Sequence, residues 1–163
     1  MRTAMMVAAL AAAGCGGGAA ACHADFTGNF TASVDPSAGC GTMTKGMGAQ
    51  ASDWILELRA MPNGGKVSFD AQIDVGPAPA AGMLSSQTVA HWQAVAVTDA
   101  NCELSAGNQS TPGGAFTLTL TSVTGLDKAT ATAHGTLQVT QALQAPAGVD
   151  CGFGDIETVD YTF

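Results

Sequence analysis

A chain of 163 residues is one domain's worth, long enough to bury a core that stands without metal or partner. It is 47% hydrophobic but only 6% aromatic and 11% charged, so small side chains fill the interior while Thr, Ser, Asn, Gln and Gly cover the surface. A formal charge of -8 with five basic residues excludes nucleic-acid binding, which needs Lys and Arg to release counterions from phosphates.

Residues 1–14 carry one positive charge, Arg2, and then an apolar run ending in small side chains. The run is far shorter than the roughly twenty residues needed to cross a bilayer, so it reads as a secretory signal. Ala12-Ala13-Gly14-Cys15-Gly16-Gly17-Gly18 resembles the lipobox of bacterial lipoproteins, with Ala12 where Leu is usual. The resemblance implies that Cys15 becomes the first mature residue, with a diacylglycerol thioether on sulfur and an acyl chain such as palmitate on its amine. Three chains anchor a protein stably where one does not. Gly16, rather than Asp, implies sorting to the outer membrane. The expected organisation is a signal peptide over 1–14, a lipidated Cys15 with a flexible tether over 15–24, and a folded domain over 25–163. An ordinary signal cut near Ala19-Ala20-Ala21 is the alternative, and it discards Cys15. Only Lys45, Arg59, Lys66 and Lys128 then remain as cations, too scattered for a basic patch.

Four cysteines, Cys22, Cys40, Cys102 and Cys151, follow Cys15. An even number in an oxidising compartment predicts two disulfides. Zinc would need a C-x-x-C spacing that these residues do not have. Cys40 follows the first predicted strand and Cys151 precedes the last, so an antiparallel circuit that sets those strands side by side pairs Cys40 with Cys151 and Cys22 with Cys102.

In chain order, Phe26, Gly28, Phe30, Ala32 and Val34 alternate with polar residues and predict one strand, ending at Asp35-Pro36. Residues 37–52 show no period and predict a long loop. Trp54, Leu56, Leu58 and Ala60 then form one face, Pro62-Asn63-Gly64-Gly65 marks a hairpin, and Val67, Phe69, Ala71, Ile73 and Val75 point inward on the return arm. Asp70 and Asp74 lie on its opposite, outward face. Residues 76–86, rich in Pro, Ala and Gly, predict a crossing loop. Residues 88–98 form a strand of two-sided pattern, since Val89, Val95 and Val97 share a parity with His91 while Trp92 has the other. Residues 102–105 continue it after a turn. Phe116, Leu118 and Leu120 alternate with Thr, and after a turn at Gly125-Leu126-Asp127-Lys128 the inward set resumes as Ala129, Ala131, Ala133, Gly135, Leu137 and Val139. Val159, Tyr161 and Phe163 form one face of a last strand.

About eight strands with no helical segment after the signal predict a single antiparallel all-β domain, either an up-and-down barrel or a flattened sandwich. Phe26-Thr27-Gly28-Asn29-Phe30 is similar to the Gly-x-aromatic opening of lipocalin-type barrels. Val159, Tyr161 and Phe163 resemble the terminal signal of outer-membrane β-barrels, but the chain has too few aromatics for their girdles.

The 13 acidic residues and three His are dispersed. No G-x-S-x-G, H-E-x-x-H or phosphate-binding glycine loop is present, and Asn29-Phe30-Thr31 and Asn108-Gln109-Ser110, which match the glycosylation sequon, carry no meaning in a bacterium. His91 and His134, with an Asp, make a conceivable metal pair, and Asp150 with Asp155 a conceivable calcium site, but no calcium-loop pattern accompanies them. We therefore expect no metal, cofactor or catalytic residue. The expected function is a non-catalytic envelope lipoprotein that binds a partner protein, a glycan or a small hydrophobic ligand, with loops 37–52 and 76–86 as contact regions. A small metal-assisted envelope enzyme and a small outer-membrane barrel are the alternatives.

Overall fold

The structure, a computed structural model, describes residues 22–36, 40–98, 102–108, 114–145, 148–151 and 155–163. The signal segment and Cys15 lie outside the described residues. Among the described residues the domain is all-β, as the alternation predicts: one antiparallel sheet of eleven strands that is not closed into a barrel and is flattened like a sandwich.

The predicted first strand is two strands. β1 (His23–Gly28) reverses at Gly28, whose φ of 128° suits a residue without a side chain, and β2 (Ala32–Val34) returns along it with Phe26 opposite Ala32 and Ala24 opposite Val34. β3 (Thr42–Lys45) lies inside the segment expected to be a loop; four residues with Met43 alone fully buried are too short to show a period. β4 (Trp54–Ala60) and β5 (Val67–Asp74) form the predicted hairpin with the predicted inward faces. β6 (Gly82–Ser85) corrects the second expected loop: it is a short strand on the sheet edge, where side chains such as Met83 are exposed and leave no alternating trace. β7 (Trp92–Thr98) buries Trp92, Ala94 and Ala96 and half-buries Val95 and Val97, which accounts for its two-sided pattern. β8 (Glu103–Gly107) follows, then β9 (Ala115–Thr124) and β10 (Thr130–Leu143), the predicted Thr-rich hairpin, and β11 (Ile156–Thr162).

The strand order is β2-β1-β11-β10-β3-β4-β5-β7-β8, with β9 on the other edge of β10 and β6 beyond it. Fourteen residues make β10 long enough to pair with β3 at its start and β11 further along. The sheet folds back on itself, and Ser105 and Gln144 exchange two backbone hydrogen bonds of 3.1 and 3.4 Å where β8 meets the end of β10. An isolated bridge of this kind is not a ladder, so the barrel alternative gives way to the flattened sandwich.

The inward faces meet through large side chains. Phe26 of β1 stacks edge to face on Phe69 of β5 at 5.2 Å, and Trp92 of β7 does so on Phe116 of β9 at 5.1 Å; each such pair adds to the stabilisation from area burial alone. Tyr161 of β11 is fully buried and its hydroxyl donates to the Arg59 carbonyl of β4 at 2.6 Å. Ala131, Ala133 and Gly135 point inward as predicted, but the room their small side chains leave is filled: the Phe163 ring sits beside Gly41, whose carbonyl accepts from the Ala133 N–H. Ala129 is a correction, since it lies between the turn and the first residue of β10 that pairs with β9, and is exposed.

All four described cysteines are bonded, with partners other than those expected. Cys22 pairs with Cys40, not Cys102, and Cys102 with Cys151, not Cys40. The reversal into β2 carries the chain back past Cys22 before it reaches Cys40, leaving the two Cα atoms 6.0 Å apart. The Ser105–Gln144 bridge likewise sets the segment after β10 beside Cys102, with Cα atoms of Cys102 and Cys151 5.4 Å apart.

Candidate functional site

The pleat that sends Leu56, Leu58, Ala71 and Ile73 inward sends their neighbours to the outer face, and pairing lines them up in rows. Gln93 of β7, Gln72 of β5 and Glu57 of β4 stand opposite one another; in the next row His91, whose carbonyl accepts from the Asp74 N–H at 2.9 Å, is followed by Asp74, Ile55 and Thr44. These rows floor a cleft of about 400 Å³, and Lys45, Gly46, Met47 and Gln50 form one wall of it. Thr44, Lys45, Gly46, Met47 and Gln50 come from the segment expected to make contacts; no residue of the expected contact loop over 76–86 lines the cleft.

Asp74 departs most from expectation. Read from sequence as an outward, solvated charge, it is 5% exposed, because it sits at the end of β5 where the chain turns at Gly76. Its Oδ1 accepts the Gly76 N–H at 2.9 Å, and its Oδ2 is buried with no hydrogen-bond partner. A buried acceptor left unpaired is costly, and a charged one more so. Two cations of these strands are engaged elsewhere. The Lys45 ammonium lies 4.3 Å from the centroid of the Trp54 ring and donates to the Ser52 carbonyl at 3.0 Å. Arg59 binds Asp70 at 2.8 Å and Glu57 at 3.2 Å, and these carboxylates, Asp70 first, raise its pKa further above the ordinary guanidinium value.

The chain matches no known protein family, no curated protein and no solved structure. Its candidate site therefore rests on geometry alone.

His91 lines the cleft, whereas His134 lies on β10 opposite Ser122 of β9, with its Nδ1 buried and without a partner. Asp150 and Asp155 line one small hollow with Cys151. Among the described residues no three His, Cys, Asp or Glu side chains are grouped so as to hold a metal.

A cluster missed in the sequence lies on β1 and β2. His23 Nδ1 is 2.7 Å from Asp35, and its Nε2 is 3.2 Å from Asp25 and 3.3 Å from the Ser33 hydroxyl. The i, i+2 spacing of His23 and Asp25 was the available signal; their partners became visible only with the reversal that sets Ser33 opposite Asp25. The hydrogen bond to Asp35 and the charge of Asp25 raise the His23 pKa. Carboxylates on both ring nitrogens favour the imidazolium, which is a poor base toward Ser33. The arrangement works as a clasp across the reversal.

Proposed function

We propose that this protein is a bacterial cell-envelope lipoprotein, held on the outer membrane through acylated Cys15, whose domain is a non-catalytic module that binds through the outer-face cleft. The observation that carries the reading is the buried, unpaired Asp74 oxygen in a cleft lined from four strands. An interior filled by contiguous core residues favours an outer-surface site over an internal ligand, and loops and faces on a rigid sheet commonly carry recognition. The sheet is open and turns its apolar side inward, the reverse of a transmembrane barrel. Catalysis needs convergent titratable groups with a competent base, and His23 between two carboxylates does not supply one.

The tether is tested by the intact mass of the full chain extracted from bacterial membranes. The expected species begins at Cys15 and carries three acyl chains, and Cys15→Ser releases the protein to the periplasm. An unmodified N-terminus near Cys22, or wild-type protein free in the periplasm, overturns the anchor.

A further inference from the structure

The chemistry of the cleft identifies what it takes. Asp74 is at least nine-tenths buried, lines the cleft, and has one carboxylate oxygen without a partner. Glu57, in the adjoining row, is already paired with Arg59 at 3.2 Å, and the one lysine lining the cleft is held over Trp54 and on the Ser52 carbonyl. A neutral donor would pair the orphaned oxygen; a cationic donor would also compensate its charge, and charge-assisted hydrogen bonds are roughly twice as strong as neutral ones. Around this acidic floor stand Gln50, Gln72 and Gln93. Each amide offers two N–H donors and a carbonyl acceptor, a set matched to neighbouring hydroxyl groups that both donate and accept. The volume, about 400 Å³, is at the small end of ligand pockets.

We infer that the cleft binds an amino sugar, its protonated primary amine directed to Asp74 and its hydroxyls to the three glutamines. This assignment rests on the reading of the cleft as the binding site and goes beyond it by naming the ligand class. A carboxylate on the ligand is disfavoured by Asp74, and a wholly apolar ligand leaves the Asp74 oxygen unpaired.

Glucosamine and glucose, which differ at C2 by amine against hydroxyl, separate the possibilities. The folded full-length domain is titrated with each below pH 7 while the backbone amides of Gln72, Asp74 and Gln93 are followed by NMR. Glucosamine is expected to shift these amides with saturation, and glucose to bind at least tenfold more weakly. Asp74→Asn keeps an oxygen to accept the Gly76 N–H and loses the charge; it is expected to weaken glucosamine at least tenfold and to abolish its preference over glucose. Equal shifts with both sugars overturn the amine and leave the cleft standing as a binding site. Shifts with neither sugar overturn both. The comparison of sugars on the unmodified protein holds even if Asp74→Asn fails to fold.

Discussion

Tyr161 shows how one polar atom is accommodated in the core. Its hydroxyl serves the Arg59 carbonyl, two residues beyond the last β4 residue that pairs with β3. Tyr161→Phe therefore strands that carbonyl, and urea unfolding is expected to show a loss of about 1–3 kcal/mol. Burial raises the Tyr161 pKa to about 12 although the bond to Arg59 opposes the shift. A folded-state pKa above the unfolded value of about 10 means that this stabilisation is whole below pH ~10 and is lost as pH rises toward ~12. Absorbance titration should show its single phenolate appearing late; ionisation near 10 would contradict the packing. His23 follows the same sign. Its raised pKa makes the clasp complete below the unfolded value of about 6.5 and lost as pH climbs through the folded value. Ring-proton NMR should place the His23 midpoint above 6.5, and Asp35→Asn should lower it; a midpoint unmoved by Asp35→Asn would dissolve the clasp.

Between elements, close backbone approach is the controlling feature. A Cβ on Gly135 would collide with the Thr119 carbonyl beside the irregularity where β9 inserts Thr121 between the residues opposite His134 and Gly135. Gly135→Ala is expected to destabilise by about 2 kcal/mol or more, read as a lowered urea midpoint; an unchanged midpoint would contradict the register. The two disulfides close loops of different length, with sequence separations of 18 for Cys22–Cys40 and 49 for Cys102–Cys151. Loop entropy then makes the loss of Cys102–Cys151 worth about 4 kcal/mol and of Cys22–Cys40 about 3, an order that denaturation of the two double-serine variants checks. Much of this was legible in the sequence. Strands with five or more alternating residues, β4, β5, β9, β10 and β11, declare their inward faces. β2, β3 and β6, of three or four residues, are too short to show a period. The reversal at Gly28, which the alternation does not mark, decides the cysteine partners, because without it Cys40 lies a full strand away from Cys22. The candidate site was less legible: Glu57, Gln72 and Gln93 read as ordinary outward residues, and Asp74 reads as solvated because alternation reports the face of a residue and says nothing about what covers it.

At the scale of the molecule, an open sheet folded back on a filled core leaves its outer faces accessible, and the proposed tether on Cys15 would hold those faces near the membrane. The acidic character, -8 overall, disfavours adsorption to anionic lipid surfaces, so attachment should depend on the acyl chains; Cys15→Ser protein should not sediment with vesicles containing anionic lipid, at low or at physiological salt. Binding is proposed at the cleft of β3, β4, β5 and β7. A photo-crosslinking residue in place of Gln93, inside the cleft, and another in place of Thr136, exposed elsewhere on the outer face, test it in intact bacteria making the full chain. A discrete adduct is expected from position 93 that disappears with Asp74→Asn, and none from position 136. Adducts from position 136 equal to those from position 93, or a position 93 adduct indifferent to Asp74→Asn, would contradict it.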